Sequence, residues 1–520
     1  IRLPHLAGTI TNLDGASIKR SMVAIDSEAK RRQEIFNEAK KLTGEGTMDI
    51  YKYQRLYRER AVGEPMPHLL IISDEFAELK SQQGEFMEKL ISTARIGRSL
   101  GIHLILATQK PAGVVDDQIW SNSRFRVCLK VQEKSDSMDM LKRPDAAEIS
   151  QTGRFFMQVG FNELFAMGQS AWSGADYTPT ETVEKKTDLS VRVVDDLGRI
   201  IKEAKPAQKT DAGRKRPKQL VELVRYLSEL AAEEHIQVRR LWKEPIPPYI
   251  YVDALEQKYG WRKRAFVLNP VVGEYDDPYN QRQALLTLPL TAGGNAVLYG
   301  AAGSGKTTFL TTLLYSLVKQ YTADEIHIYA LDFGAETLTA FARAPQVGGV
   351  LLGTEEEKIA NLFKLLLREY DARRSLFSRY GGDLLSYNRN SGKTAPDILV
   401  LVNNYAAFTE QYEKYEEPFA MLSRDGGKYG IRFVITANSA MAVRYRIQQN
   451  FKQVLAMQLN EETGYSAVLG KTGGLVPSAF KGRGLVGMDR VYEFQTAYPT
   501  AEKDLLGFLR GMSAALREES

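Results

Sequence analysis

Cysteine is nearly missing from this 520-residue chain, since Cys128 is the only one, and this excludes an intrachain disulfide framework. Long apolar runs are missing too: no stretch of about 18 consecutive apolar residues predicts a membrane span. Excess charge of one sign is also lacking, because 69 Lys and Arg face 64 Asp and Glu. The net charge of +5 therefore gives no bulk signature of a nucleic-acid binder. A reducing compartment fits this composition.

The composition instead suits a globular protein, because 43% of the residues are hydrophobic. A chain of this length predicts two or three domains. The sequence begins IRLPHLAGTI, with no start Met and no basic leader segment. We expect it to be a piece of a longer protein.

An internal repeat organises the chain. The segment from Pro67 to Gln109 matches the segment from Pro396 to Asn438 at a constant offset of 329 residues, and Gly153-Arg154 matches Gly482-Arg483 at the same offset. Upstream, Arg31 and Arg32 align with Arg373 and Arg374, and Pro4 aligns with Pro345. A period this long indicates a duplicated domain and not a solenoid.

Each copy alternates short apolar runs with helix-like stretches. LLIIS and LILAT in the first copy correspond to ILVLV and FVITA in the second. Continuous apolar runs of this length are typical of strands that are buried on both faces of a parallel sheet. The predicted fold class is therefore α/β, with parallel sheets flanked by helices.

The segment GAAGSGKT satisfies the phosphate-loop pattern G-x-x-x-x-G-K-[ST] completely. It follows the strand-like run NAVLY and precedes a helix-like run, which is the context that the pattern requires. The predicted nucleotide-binding residues are Gly300, Ala301, Ala302, Gly303, Ser304, Gly305, Lys306, Thr307 and the following Thr308. Lys306 would contact the β- and γ-phosphates, and the Thr307 hydroxyl would bind Mg²⁺.

Hydrolysis also needs an acidic residue for the metal and a carboxylate that orients water. In the first copy, Asp74 and Glu75 follow the strand LLIIS and supply both groups. A helix-capping pair is the alternative for them. In the second copy, Asn403 and Asn404 stand at these positions. Amides neither accept a proton nor neutralise a cation, so the second module is predicted to bind ATP with little hydrolysis.

Two further groups of residues are candidates for roles at the nucleotide sites. Gln109 follows the strand LILAT, where a polar side chain would sense the γ-phosphate, and Asn438 is its counterpart in the second copy. A plain turn residue is the alternative for Gln109. Arg95 and Arg98 would act as arginine fingers across a subunit boundary, or would serve in surface salt bridges.

The predicted boundaries are 1–180 for a first ATPase module that lacks its phosphate loop, 181–218 for a charged linker, and 219–515 for a second module. The second copy's loop begins 45 residues before Pro345, so its counterpart would lie upstream of Ile1. The basic cluster from Arg214 to Lys218 suits a solvated linker, with a nucleic-acid contact as the alternative.

The run DEFAELK, followed by GIHLILATQKP, resembles the FtsK/SpoIIIE ATPases. Two consecutive modules, with SAWSGADY closing the first, resemble the EssC (YukB/EccC-like) branch of type VII secretion ATPases. The resemblance implies RecA-like modules, ATP and Mg²⁺ as ligands, and a membrane-anchored parent at the cytoplasmic face of the bacterial membrane. It also implies secreted Trp-X-Gly type substrates, other membrane components as partners, and a homo-oligomeric ring.

Two other functions stay open. A double-stranded DNA pump like FtsK would carry a winged-helix domain after its motor, and little chain follows the segment YEFQTAYPT. Balanced charge makes nucleic acid an unexpected partner. A scaffold that only binds nucleotide and partners is the other alternative, and turnover measurements on the parent protein would separate it from a motor.

Overall fold

The computed structural model describes residues 3–10, 15–82, 84–109, 115, 117–160, 163–177, 190–204, 217–241, 244–334 and 336–519. They fall into two compact units. Unit 1 comprises Ile1–Leu13 and Glu28–Leu241, and unit 2 comprises Asp14–Ser27 and Trp242–Ser520. Among the described residues, no helix is long and apolar enough to cross a membrane.

The helices are α1 (Gly15–Thr43), α2 (Ile50–Arg58), α3 (Phe76–Gln82), α4 (Gly84–Leu100), α5 (Asp117–Asn122), α6 (Lys134–Leu141), α7 (Gln219–Glu233), α8 (Val252–Tyr259), α9 (Leu290–Gly293), α10 (Lys306–Gln320), α11 (Glu356–Phe377), α12 (Leu384–Asn390), α13 (Tyr405–Gln411), α14 (Glu416–Asp425), α15 (Tyr445–Gln448), α16 (Thr463–Leu469) and α17 (Leu505–Glu519).

The strands are β1 (Leu69–Ser73), β2 (Ile102–Leu106), β3 (Phe125–Leu129), β4 (Arg154–Val159), β5 (Leu164–Gln169), β6 (Val191–Val194), β7 (Ile200–Ala204), β8 (Val271–Asp277), β9 (Arg282–Thr287), β10 (Ala296–Tyr299), β11 (Ile326–Asp332), β12 (Val347–Leu352), β13 (Asp397–Asn403), β14 (Ile431–Ala437), β15 (Gln453–Met457), β16 (Arg483–Gly487) and β17 (Val491–Thr496).

Unit 2 is built on one ten-stranded sheet in the order β12-β11-β13-β14-β10-β15-β16-β17-β8-β9. The strands from β12 to β15 pair in parallel, and the remaining pairs are antiparallel. Alternate residues of β13 enter two different cores: Leu399 and Leu401 pack with α10, while Val400 and Val402 lie on the other face. The predicted α/β class is confirmed, and the antiparallel extension is an addition to it.

The described part of unit 1 holds three separate small sheets: β1-β2, β3-β4-β5 and β6-β7. The parallel pair β1-β2 begins with Leu69 opposite Ile102, and β13-β14 begins with Ile398 opposite Ile431. Both registers differ by 329 residues. The structure therefore reproduces the duplication that the sequence predicted.

The pairing of the upstream arginines was wrong by one residue. Arg32 donates to the carbonyl of Leu100 and to Glu28, four residues before it. Arg373 donates to the carbonyl of Tyr429 and to Glu369, also four residues before it. Arg32 is thus the counterpart of Arg373, at the same offset that relates Pro4 to Pro345. Two adjacent arginines in each copy made the sequence alignment ambiguous.

The two copies carry different side chains at one matching pair of positions, where the two parallel strands begin. In unit 2, Arg432 donates to Asp397 at 2.7 Å in a buried ion pair between β13 and β14. At the matching position in unit 1, Nδ1 of His68 lies 2.9 Å from Nε2 of His103. Burial lowers the pKa of His68, and the neighbouring His103 lowers it further. The backbone register is thus kept while the side-chain pair differs.

The segment between the modules contains structure of its own. Strands β6 and β7 form an antiparallel hairpin within residues 181–218, and Arg214, Lys215 and Arg216 lie outside the described residues. Helix α7, which the sequence assigned to the second module, belongs to unit 1 by its contacts. The module boundaries themselves stay a prediction.

Replacing Arg373 tests the corrected pairing. Arg373→Ala would leave the half-buried carbonyls of Pro396 and Tyr429 without this donor, so we expect the protein to lose about 3 kcal/mol of stability. The exposed neighbour Arg374 is the control, and Arg374→Ala should change stability by no more than about 0.5 kcal/mol. Chemical unfolding of both variants measures this. Equal losses would contradict the assignment.

Candidate nucleotide sites at the ends of the parallel strands

The phosphate loop of unit 2 leaves the sheet at the carboxyl end of β10. Its first residues remain tied to the strands on either side: Gly300 N–H donates to the carbonyl of Ala437, and Ala301 N–H donates to the carbonyl of Gln458. The loop then enters α10, whose first residue is Lys306. This strand–loop–helix geometry is the one that the sequence predicted, and it directs a helix N-terminus at the loop.

Two glycines in the loop are required by the backbone. Gly303 and Gly305 have φ of +79° and +111°, a region that side chains rarely adopt. A Cβ on Gly305 would lie 2.7 Å from the backbone nitrogen of Gly482. The second glycine therefore also permits close packing between the loop and the segment before β16.

The polar groups of the loop fit a phosphate ligand. Lys306 Nζ donates to the carbonyls of Gly300 and Ala301 at 2.6 and 2.9 Å, so its ammonium group lies against the loop. Burial lowers the pKa of Lys306, a cost that a bound anion would offset. The hydroxyl of Ser304 is buried and has no hydrogen-bond partner among the described residues. Thr307 and Thr308 are half-buried in the first turn of α10.

Asn403, at the end of β13, uses both atoms of its side-chain amide in hydrogen bonds. Its Nδ2 donates to Oδ1 of Asp332 at 2.8 Å, and its Oδ1 accepts from the Thr436 hydroxyl at 3.2 Å. That hydroxyl also accepts from the N–H of Asn404. Asn403 is only 4% exposed, so its oxygen is not presented to a metal ion.

Asp332 could not be recognised from the sequence as part of this site, because it lies 71 residues before Asn403 in the chain. Its carboxylate is buried at the end of the neighbouring strand β11 and accepts from three donors. Besides Asn403, these are the N–H groups of Gly334 and Leu338. A carboxylate so occupied anchors the following loop. The strand order β11-β13 was the missing information.

The first unit carries the acidic pair in a different setting. Asp74 is exposed in the turn after β1, and Glu75 accepts a hydrogen bond from the Thr108 hydroxyl at 2.9 Å. Glu75 has φ of +49°, and its counterpart Asn404 has φ of +70°, so both turns have a positive φ at this position. The Asn404 side chain caps α13, whereas the Glu75 side chain is held toward the end of β2.

The remaining candidates lie at the same sheet edges. Gln109 is exposed three residues after the end of β2, and Asn438 is exposed directly after β14, beside the strands that carry the acidic or amide pair. Arg95 and Arg98 are exposed on α4. The structure thus groups Asp74, Glu75 and Gln109 in unit 1, and the phosphate loop, Asn403 and Asn438 in unit 2.

Comparison with known proteins agrees with this geometry. The FtsK/SpoIIIE family model matches residues 2–113 and 253–470. The chain belongs to the FtsK/SpoIIIE family. These are P-loop ATPases, so membership implies nucleotide binding.

Among curated relatives, this FtsK/SpoIIIE-type chain is 36% identical over 506 residues to the type VII secretion system protein EssC of Staphylococcus aureus strain MRSA252. It is 35% identical over 529 residues to the ESX secretion system protein YukB of Bacillus subtilis strain 168. The matches cover 96% and 99% of this chain but only 34% of each relative. The chain thus spans about a third of their length.

Among solved structures, the cytoplasmic domain of the Thermomonospora curvata type VII secretion ATPase EccC matches with a TM-score of 0.78 and 25% identity. The match covers 99% of this chain and 57% of that one. The RecA-like tandem fold predicted from the sequence is therefore confirmed for this FtsK/SpoIIIE-type chain.

An Asn403→Asp substitution tests how the second site is held. Two buried carboxylates would then lie within hydrogen-bond distance and share one proton, which raises the pKa of the pair above that of the unfolded carboxyl groups. The folded variant therefore binds one more proton than the unfolded chain at neutral pH. Its free energy of unfolding falls as the pH rises above the carboxyl pKa of the unfolded chain. We expect a lower melting temperature at pH 8 than at pH 5, measured by scanning calorimetry.

The matched control is the swap Asp332→Asn with Asn403→Asp, which keeps one acid and one amide. It should recover most of the lost stability at pH 8. If Mg²⁺ and ATP alone restored the melting temperature of Asn403→Asp at pH 8, the prediction would be contradicted. That result would mean that residue 403 faces the metal.

Proposed function

We propose that this chain is the ATP-binding motor portion of a type VII protein-secretion ATPase, whose second module holds ATP with little hydrolysis. The observation that carries the proposal is the intact phosphate loop beside an amide pair. Asn403 and Asn404 occupy the positions that Asp74 and Glu75 occupy in the first module. The names of the relatives support the secretion context.

The residues of the second site are proposed to support the binding of ATP but not its hydrolysis. Lys306 and the loop N–H groups would bind the phosphates of ATP, and Thr307 would hold Mg²⁺, which would screen the phosphate charge. Asn403 is turned to Asp332 and Thr436, so it supplies no negative ligand to the metal. Asn404 cannot accept a proton from water. Binding is therefore retained while hydrolysis is weak.

The first module carries the hydrolytic pair but needs a partner strand. In unit 2, β10 pairs in parallel with β14 on one edge and with β15 on the other. Their counterparts in the described part of unit 1, β2 and β3, belong to two separate sheets. A single strand between them would join the sheets, and by the repeat this strand carries a phosphate loop.

Exposed apolar side chains on unit 1 support the same proposal. Leu70 and Ile72 on β1 are 52% and 65% exposed. Their counterparts in unit 2, Leu399 and Leu401, are 0% exposed and pack with the phosphate-loop helix α10. Apolar side chains in a sheet face of this kind are stable when a helix covers them. An upstream strand, loop and helix would cover them here.

The cargo proposed for the parent protein is polypeptide: small helical Trp-X-Gly type proteins. One solved structure that shares the fold, at a TM-score of 0.53 and 16% identity, is EccC ATPases 2 and 3 with a signal sequence peptide. The balanced charge count gives little electrostatic attraction for a duplex. A ring of copies at the cytoplasmic face of the membrane, working with other membrane components, completes the proposal.

Removing the phosphate-binding cation tests the second site. Lys306→Ala deletes charge-assisted hydrogen bonds to two phosphates, so we expect ATP affinity to fall roughly 100-fold or more. Calorimetric titration of Mg²⁺ and ATP measures this, with the exposed Lys471→Ala as control. Brisk steady-state hydrolysis by this chain that Lys306→Ala removes would contradict the weak-hydrolysis proposal.

Lengthening the chain with its natural upstream sequence tests the first site. We expect the ATP stoichiometry to rise from one to two per chain, and amide hydrogens on β2 and β3 to gain protection from exchange. Replacing the lysine of the added loop by alanine is the control and should restore a stoichiometry of one. An upstream sequence without G-x-x-x-x-G-K-[ST], or an unchanged stoichiometry, would contradict the proposal.

Two binding assays at about 0.15 M salt separate protein export from DNA translocation. One uses linear duplex DNA, and the other uses the C-terminal segment of a Trp-X-Gly substrate. We expect peptide binding and no tight DNA binding. Submicromolar, steeply salt-dependent DNA binding without measurable peptide binding would favour a DNA translocase instead.

A further inference from the structure

The strand order fixes the direction in which a nucleotide lies on the second phosphate loop. Asn403 and Asn438 stand at the positions expected to act in phosphate cleavage. Asn403 ends β13 and Asn438 follows β14, so both lie on one side of β10. The terminal phosphate therefore faces that side. The nucleoside must extend to the opposite side, where β15 and β16 lie.

The segment from Ser478 to Gly482 forms a wall on that opposite side. Gly482 N–H donates to the carbonyl of Ser304 at 2.8 Å. Gln458 connects the loop to the wall, because its carbonyl accepts from Ala301 N–H while its Nε2 donates to the carbonyls of Ser478 and Phe480. The wall is thus joined to the phosphate loop by a backbone hydrogen bond at Gly482 and, nearer Ser478, through the side chain of Gln458.

This wall presents an aromatic ring and a cation beside the loop. Phe480 is 47% exposed, and the buried guanidinium of Arg483 lies over its ring, 5.4 Å from the centroid. Lys481 is exposed, and its Cγ is 3.5 Å from the point where a Cβ on Gly305 would lie. An aromatic ring supported on one face by a cation is a stacking platform for a flat ligand.

We propose that Phe480 stacks on the nucleobase and that Lys481 pairs with the phosphates nearest the nucleoside. This inference rests on the proposed binding of ATP by the second module and adds the residues that recognise its nucleoside end. The first module differs here. When the repeats are aligned with Gly153 opposite Gly482, Gln151 corresponds to Phe480 and Thr152 corresponds to Lys481. These residues offer neither an aromatic ring nor a cation. The second module is therefore built to retain nucleotide more tightly than the first.

Titrations with two ligands test the proposal, both in the presence of Mg²⁺: ATP, and inorganic tripolyphosphate, which has no base. Phe480→Ala should weaken ATP binding about tenfold, because one base–aromatic stack is lost, and should leave tripolyphosphate binding unchanged. Phe480→Trp should keep ATP affinity. Lys481→Ala should weaken both ligands, and the exposed Lys471→Ala should weaken neither.

The outcomes separate this inference from the proposed function. If the unaltered chain binds ATP and Lys306→Ala does not, while Phe480→Ala binds ATP with unchanged affinity, only the stacking proposal fails. Equal losses of both ligands in Phe480→Ala would also overturn it, since they would mean that the ring only supports the loop. If the unaltered chain binds neither ligand, the proposed function itself fails. Thermal unfolding of each variant checks that the exposed position 480 leaves the fold intact.

Discussion

The parallel pairing of β10 with strands on both of its edges is the constraint on which the second unit depends. Hydrogen bonds to β14 and β15 join the parallel half of the sheet to the antiparallel half. The same bonds continue into the loop, since Gly300 and Ala301 donate to the ends of the flanking strands. One strand therefore completes the sheet and positions the phosphate-binding backbone. Where its counterpart is missing from the described part of unit 1, the sheet is divided.

The two modules differ most where β1 and β13 end. A carboxylate pair follows β1, and an amide pair stands at the end of β13, with a positive φ at the second residue of each pair. Asn403 also has a neighbour that depends on it, because it forms a buried acid–amide pair with Asp332 on β11. A buried acid beside a second acid would be costly, so an amide at position 403 suits the acid at position 332.

Much of this could be predicted from the sequence. The phosphate loop follows a strict spacing, and the 329-residue offset is visible because strands β1, β2, β13 and β14 each contain a mainly apolar run. The pairing of Arg31 and Arg32 was wrong because a gap in the alignment could be placed on either of two adjacent arginines. Asp332 and the wall at Phe480 could not be found, since their roles depend on strand neighbours that are distant in the chain. The substitution of His68 and His103 for an ion pair likewise becomes visible only through the register.

We propose that hydrolysis belongs to the first module and ATP retention to the second. Single-turnover hydrolysis by the parent-length protein tests this most directly, with Glu75→Gln and Lys306→Ala as a matched pair. The account predicts that Glu75→Gln stops hydrolysis while ATP stays bound, because water is no longer oriented although the phosphate contacts remain. Lys306→Ala should leave hydrolysis at the first site and remove one bound ATP. Loss of hydrolysis in Lys306→Ala with normal turnover in Glu75→Gln would contradict the account.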